Sequence, residues 1–242
     1  MKLLIDAGNS FIKCLLISEN QKESVQAPTR DYQSFLSGLL KNCKPCDSII
    51  VSSVVTDQFT DWLICEAQAR GLPRPQFVRV LSEYAGISIA YSEPSALGVD
   101  RFLAMIAAFD KIKAAVIVVD IGTAITIDAI DEWGKHLGGV IIPGWDQMAR
   151  CLGDVTEHVG VKAGSVRLWG KNTGDAVTGG CFYSALAGIQ KVTQLMSMDM
   201  KSDPALVLTG GGAQEFYSEL GGDFQVYENL VLEGLEIVAN KT

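Results

Sequence analysis

Two short segments of nearly the same pattern lie 114 residues apart in this chain of 242: Asp6-Ala7-Gly8-Asn9-Ser10-Phe11-Ile12 and Asp120-Ile121-Gly122-Thr123-Ala124-Ile125-Thr126. Apolar, β-branched runs flank each one, over residues 2–6 and 11–17 in the first case and 115–121 and 125–130 in the second. Each segment therefore reads as a hairpin turn between two strands. Each is followed by a third strand and then by helices alternating with strands. Internal similarity of this kind predicts a duplicated architecture. The expectation is an α/β chain of two similar mixed-sheet lobes, residues 1–113 and 114–242, around a cleft of the sort where sites tend to lie.

The turn chemistry is specific. Glycine has no Cβ, so the loop can be tight and its N–H groups can approach an anion closely. Asn9 or Thr123 adds a short polar side chain. An ionised Asp only accepts hydrogen bonds, so it can hold a hydrated metal but repels phosphate without one. Paired turns of this type could grip a nucleotide's phosphates from both sides. Taken singly, each is also an ordinary Asp-Gly type of hairpin turn.

Further elements follow from periodicity. Strands are expected near 24–27, 48–55, 77–81, 137–142, 205–208 and 224–227. Helices are expected over 31–41 with Asp31 as N-cap, 57–70 with Thr56 as N-cap, 99–113, 145–152, 173–198, 213–220 and from 229 onward. Residues 82–97 and 154–172 read as irregular.

Composition excludes several classes. Lys and Arg number 20 against 28 Asp and Glu, a net charge of −8. No basic run is present, which argues against nucleic acid as a ligand. No stretch of about 20 apolar residues suggests a membrane span, and the N-terminal apolar run is too short for a signal-peptide core. The six cysteines show no framework spacing and read as reduced thiols of a cytoplasmic protein.

Six segments together carry a family resemblance: Asp6-Ala7-Gly8-Asn9-Ser10 with Lys13; Gly98-Val99-Asp100-Arg101; Asp120-Ile121-Gly122-Thr123-Ala124-Ile125-Thr126; Gly138-Gly139-Val140-Ile141-Ile142-Pro143-Gly144; Gly170-Lys171-Asn172-Thr173; and Thr209-Gly210-Gly211. In this order and spacing the chain resembles the acetate and sugar kinase/Hsp70/actin superfamily of duplicated, ribonuclease-H-like ATPases, and within it the type III pantothenate kinases. The resemblance implies phosphorylation of pantothenate by ATP with Mg²⁺ and a monovalent cation, K⁺ or NH₄⁺. It also implies a homodimer whose substrate pocket is completed by the neighbouring subunit.

Roles follow position by position from that resemblance. Asp6, Ala7, Gly8, Asn9, Ser10, Phe11, Ile12 and Lys13 form the first phosphate loop, with Asp6 near the Mg²⁺. Asp100 is the general base. Gly98, Val99, Asp100 and Arg101 line the pantothenate pocket, and Tyr91 contacts the substrate. Asp120 is the monovalent-cation ligand, and Thr123 contacts ATP. Thr173 reaches across the dimer, and Gly210 and Gly211 belong to the adenosine-side loop. Two departures are visible: Ser10 stands for a commoner Thr, and Pro94-Ser95 for a usual Asn-Pro.

Chemistry alone leaves the base open among Asp6, Asp100 and Asp120. Asp100 stands apart from the two turns and beside Arg101, whose planar fork suits a carboxylate-bearing substrate. Alternatively, Asp100-Arg101 is a capped helix start, and Thr209-Gly210-Gly211-Gly212 an ordinary strand-to-helix turn. Cys43-Lys44-Pro45-Cys46 has redox spacing but precedes a strand. His136 and His158 lack the spacing of zinc ligands. The rival to an enzyme is a nucleotide-binding regulatory or accessory protein of the same fold without turnover. A kinase for another small acid or sugar is a third option.

Overall fold

The computed structural model describes residues 1–19, 21–43, 45–155, 164–221 and 223–241. His158, Lys44 and positions 156–163 of the expected irregular segment lie outside the described residues. The chain divides into two compact units, Met1–Asp110 with Asn229–Thr242, and Lys111–Glu228.

The first unit is built on β1 (Lys2–Ala7), β2 (Phe11–Ile17), β3 (Lys22–Pro28), β4 (Ser48–Ser53) and β5 (Gln76–Phe77), with α1 (Tyr32–Lys41) and α2 (Asp57–Ala69) as crossovers. Strand order is β3-β2-β1-β4-β5. The first three strands are antiparallel, and β4 and β5 run parallel to β1. Leu3, Ile5, Ala7, Ile12, Cys14, Ile49 and Val51 pack from the sheet against Leu36 and Leu40 of α1 and Phe59 and Leu63 of α2. A small hairpin, β6 (Glu83–Tyr84) and β7 (Ile87–Ser88), precedes α3 (Val99–Ile112), which is buried on nearly every side.

The second unit repeats the plan with β8 (Val116–Ile121), β9 (Ala124–Ile130), β10 (His136–Pro143), β11 (Ala205–Thr209) and β12 (Phe224–Val226). Its strand order, β10-β9-β8-β11-β12, is that of the first sheet, strand for strand. Directions also match. Among the described residues this unit carries α4 (Trp145–Val155), α5 (Thr173–Met200) and α6 (Ala213–Leu220). Its core sets Ile117, Val119, Ile125 and Ile127 against Phe182, Ala185 and Ile189 of α5 and Phe216 of α6.

The last helix, α7 (Leu230–Lys241), departs from the expected division at 113/114. It does not stay with the residues it follows but packs in the first unit. Lys2 Nζ donates to the Ala239 carbonyl at 3.0 Å, and a Cβ at Gly234 would overlap the Leu103 carbonyl of α3. Helical periodicity shows that one face is buried; it does not say against which sheet.

Smaller differences have local causes. β3 extends over Lys22–Pro28 rather than 24–27 because it pairs with β2 along its whole length. As an edge strand it tolerates a polar sequence. β5 is only Gln76–Phe77, with one further bond from the Val78 amide to the Val51 carbonyl at 2.9 Å. Asp31 and Thr56 occupy N-cap positions without side-chain cap bonds. Asn172 does cap α5, accepting from the Asp175 amide at 2.9 Å.

Candidate active site

The Asp6 turn joins β1 to β2. Asp6 pairs with Lys13 on one side and with Ser52 of β4 on the other. Directly paired residues share a face of the sheet, so a carboxylate, an ammonium and a hydroxyl stand in one row. Lys13 Nζ also lies 3.4 Å from Asn229 Oδ1. Ser52 is fully buried, and among the described residues its hydroxyl has no hydrogen-bond partner. Two bonds brace the turn from behind: Thr29 Oγ1 donates to the Gly8 carbonyl at 2.7 Å, and the Thr29 amide donates to the Ser10 carbonyl at 2.9 Å.

The Asp120 turn joins β8 to β9 in the second unit. Asp120 pairs with Thr126 and Ile121 with Ile125, whereas in the first turn Ala7 pairs with Ile12. The second loop is thus one residue shorter. The match at a spacing of 114 holds through Gly8 and Gly122 and then slips by one, so Ile12 corresponds to Ile125 rather than Thr126. The glycine loop after β11 lies directly on this turn. Gly210 has φ +89°, and a Cβ there would run into Asp120 Oδ1 and the Ile121 carbonyl. The Gly212 amide donates to that same carbonyl at 2.9 Å. Within this unit the structure therefore brings together Asp120, Thr123, Gly210 and Gly211.

The third group sits at the start of α3. Asp100 Oδ1 accepts from the Arg101 amide at 2.8 Å. Gly98 leaves room for that carboxylate, which a Cβ would approach to 2.5 Å. Arg101 is buried, and its Nη1 donates to Tyr91 Oη at 3.0 Å, with the guanidinium 5.8 Å from the Tyr91 ring centre. Tyr91, Gly98, Val99, Asp100 and Arg101 thus form one cluster within the first unit. Thr173 lies in the second unit, at the first turn of α5. There it lines an apolar groove of about 700 Å³ with Pro143, Met148, Leu152 and Val177.

Three residues of these surroundings escape sequence reading: Thr29, Ser52 and Asn229. Gly144 stands in one of the family segments but receives no role from it. One signal was available for Thr29. Pro28-Thr29 ends the third strand of the first sheet as Pro143-Gly144 ends the third strand of the second. The features set aside behave accordingly. Burial pushes the Cys43 thiol up to about 11 and raises that of Cys46, so neither is an activated thiolate. His136 is buried, with Nε2 at 3.1 Å from Asp128 Oδ1.

Among the described residues, no three His, Cys, Asp or Glu side chains converge as a metal cage. A divalent ion here would take one or two carboxylates and complete its shell with phosphate oxygens and water, the habit of Mg²⁺. Asp6 fits that description.

Two sheets of identical strand order, each with an Asp-x-Gly turn after its first strand, define a duplicated ribonuclease-H-like fold of the actin-like ATPase class. The same fold is found in a protein assigned as a 2-dehydro-3-deoxygalactonokinase from Sinorhizobium meliloti, at a TM-score of 0.64 and 14% identity over 100% of this chain and 99% of that one. The sequence profile of the type III pantothenate kinases matches residues 2–195. A type III pantothenate kinase of Nitrosococcus oceani is 34% identical, covering 100% of this chain and 95% of its own length. That of Acidovorax ebreus is 36% identical, covering 99% and 96%. The chain belongs to the type III pantothenate kinase family. No helix among the described residues is long and apolar enough to cross a membrane.

Proposed function

We propose that this chain transfers the γ-phosphoryl group of ATP to the primary hydroxyl of pantothenate, giving 4'-phosphopantothenate and ADP, the first step of coenzyme A biosynthesis. The observation that carries this reading is the span of the family match. Residues 2–195 take in the Asp6 turn, the Asp100–Arg101 pair and the Asp120 turn in order.

In this reading Asp100 is the general base. Its carboxylate takes the proton of the attacking hydroxyl while the new P–O bond forms and the bond to the β-phosphate oxygen breaks. Arg101, oriented by Tyr91, binds the substrate carboxylate with its planar fork, a geometry a lysine cannot copy. Gly98 and Val99 shape the same pocket. Residues 6–13 act as a phosphate loop through backbone amides and Lys13, and Thr123, Gly210 and Gly211 are nucleotide contacts. Asp6 holds Mg²⁺, which when bound offsets the charge of the phosphates. Asp120 holds K⁺ or NH₄⁺. The chain acts in the cytoplasm as a homodimer in which Thr173 reaches the neighbouring pocket.

The test is ADP release from ATP, with and without pantothenate, for the parent chain and Asp100→Asn. Release should require pantothenate and should be faster in K⁺ or NH₄⁺ than in Na⁺. Asp100→Asn should lower turnover by about 10²–10⁴-fold, the usual worth of a general base, with ATP affinity retained. Near-normal turnover of that variant would remove Asp100 from the role. Release independent of pantothenate would assign the nucleotide chemistry to a different acceptor.

A further inference from the structure

We infer that Thr29 is a positioning residue for the first phosphate turn: its hydroxyl sets the direction of the turn amides that meet ATP. This rests on the reading of residues 6–13 as a phosphate loop and names a residue outside that loop on which its geometry depends.

The argument begins with the peptide plane. In a trans peptide the C=O and the following N–H point to opposite sides. Thr29 Oγ1 holds the Gly8 carbonyl at 2.7 Å, and the Thr29 amide holds the Ser10 carbonyl at 2.9 Å. Fixing those two carbonyls fixes the directions of the Asn9 and Phe11 amides on the other side of the loop. The hydroxyl bond bridges 21 residues of sequence, so it is not a local cap of the short helical turn that Thr29 opens.

The second unit supplies an internal control. Gly144 follows the third strand there as Thr29 does in the first, and its amide donates to the Thr123 carbonyl at 3.0 Å. The backbone bond is therefore common to both halves. The side-chain bond is not. A Cβ at Gly144 would lie 2.5 Å from the Thr123 carbonyl and 2.8 Å from that of Gly122, so the shorter loop already fills the space. The first loop has one residue more, and there the Thr29 hydroxyl reaches the Gly8 carbonyl, whose counterpart in the second loop, that of Gly122, would lie 2.8 Å from a Cβ at Gly144. A longer loop has more conformations to lose on binding, and a rigid phosphate cradle needs that freedom removed beforehand.

Thr29→Val keeps the shape and removes the hydroxyl; Thr29→Ser keeps the hydroxyl. The measurements are ATP affinity by titration of the full chain, KM for ATP against kcat with pantothenate, and melting temperature without nucleotide. Losing one such bond corresponds to about a 3- to 10-fold rise in the Kd and KM for ATP. The turnover number should stay within about twofold, and Thr29→Ser should restore parental affinity. Asn9→Ala, inside the loop, serves as the reference. If Asn9→Ala weakens ATP while Thr29→Val binds like the parent, Thr29 has no positioning role. If neither variant changes ATP affinity, the reading of the Asp6 turn itself fails. Should Thr29→Val not fold, Thr29→Ala is titrated in its place. A loss in Thr29→Ser equal to that in the hydroxyl-free variant overturns the inference as well.

Discussion

Gly210 and Gly211 are neighbours in one glycine run, yet alanine at the two positions should have opposite consequences. Gly210 has φ +89°, and its missing Cβ would run into the Asp120 carboxylate and the Ile121 carbonyl. The left-handed backbone alone costs a non-glycine residue about 1–2 kcal/mol. The steric part adds to that, because the Ile121 carbonyl is held by the Gly212 amide at 2.9 Å and cannot retreat without breaking the bond. A total of about 2–4 kcal/mol follows, which for a chain of this size lowers the melting temperature by roughly 5–15 °C. Among the described residues nothing lies within 4 Å of the place a methyl group on Gly211 would occupy, and its φ is not left-handed, so Gly211→Ala should stay within about 0.5 kcal/mol of the parent. Thermal unfolding of the two variants in one buffer decides the matter, and ATP titration reports whether Asp120 has been displaced. Equal melting temperatures for Gly210→Ala and the parent, or an equal loss in Gly211→Ala, would refute the reasoning.

Two further outcomes follow from other parts of the structure. Ser52→Ala removes a buried hydroxyl that has no partner among the described residues, and whose desolvation costs about 1–3 kcal/mol; its melting temperature without nucleotide should equal or exceed the parent's. A fall in melting temperature would show that the hydroxyl is satisfied in the folded chain. Glu66 accepts from Ser37 at 2.5 Å and from Arg70, and these bonds hold its carboxyl below the usual range. A depressed pKa contributes stability that is full above the unfolded value and is lost as pH falls through the folded one. The melting-temperature gap between the parent and Glu66→Gln should therefore be constant above about pH 5 and close below about pH 4; a gap that widens on acidification contradicts this.

What could be read from the sequence follows from which forces are local. The β1–β2 and β8–β9 hairpins were legible because each strand is a run of residues buried on at least one face, interrupted by Asp-x-Gly. The duplication was legible because both hairpins use the same device. Tyr91 and Arg101, which the family resemblance assigns to the substrate pocket, are hydrogen-bonded to each other, and Gly98 lies close against the Asp100 carboxylate. Less could be read where the deciding partner is distant. That α7 packs in the first unit is seen in its contacts with β1, β2 and β4 and in the approach of Gly234 to Leu103 of α3, which no periodicity reports. The one-residue slip between the two turns was hidden because both continue with apolar residues, so register is set by cross-strand pairing alone. Ser52 looked like strand filler; only the pairing of β1 with β4 puts it beside Asp6.

The shorter second turn makes its own prediction through Gly144, which follows β10, and Gly138 within β10 provides the contrast. Gly144 has an ordinary φ, so alanine is allowed by the backbone, but its Cβ would press on the carbonyls of Gly122 and Thr123 at 2.8 and 2.5 Å. Relief requires those two peptides to rotate, and rotation re-aims the Thr123 and Ala124 amides on their far side. Gly138 is the reverse case: φ +121° with nothing among the described residues within 4 Å of a Cβ, so alanine there strains the chain without touching the turn. Gly138→Ala should cost about 1 kcal/mol of stability and bind ATP as the parent does. Overpacking of the kind expected at Gly144 costs about 1–3 kcal/mol however it is relieved. Gly144→Ala should raise the Kd for ATP by about tenfold or more, the equivalent of about 1.4 kcal/mol of misdirected amide contacts. If the two variants weaken ATP equally, the effect is one of general stability and the turn carries no special part in binding. If only Gly144→Ala does so, the amides of the second turn are part of the nucleotide site.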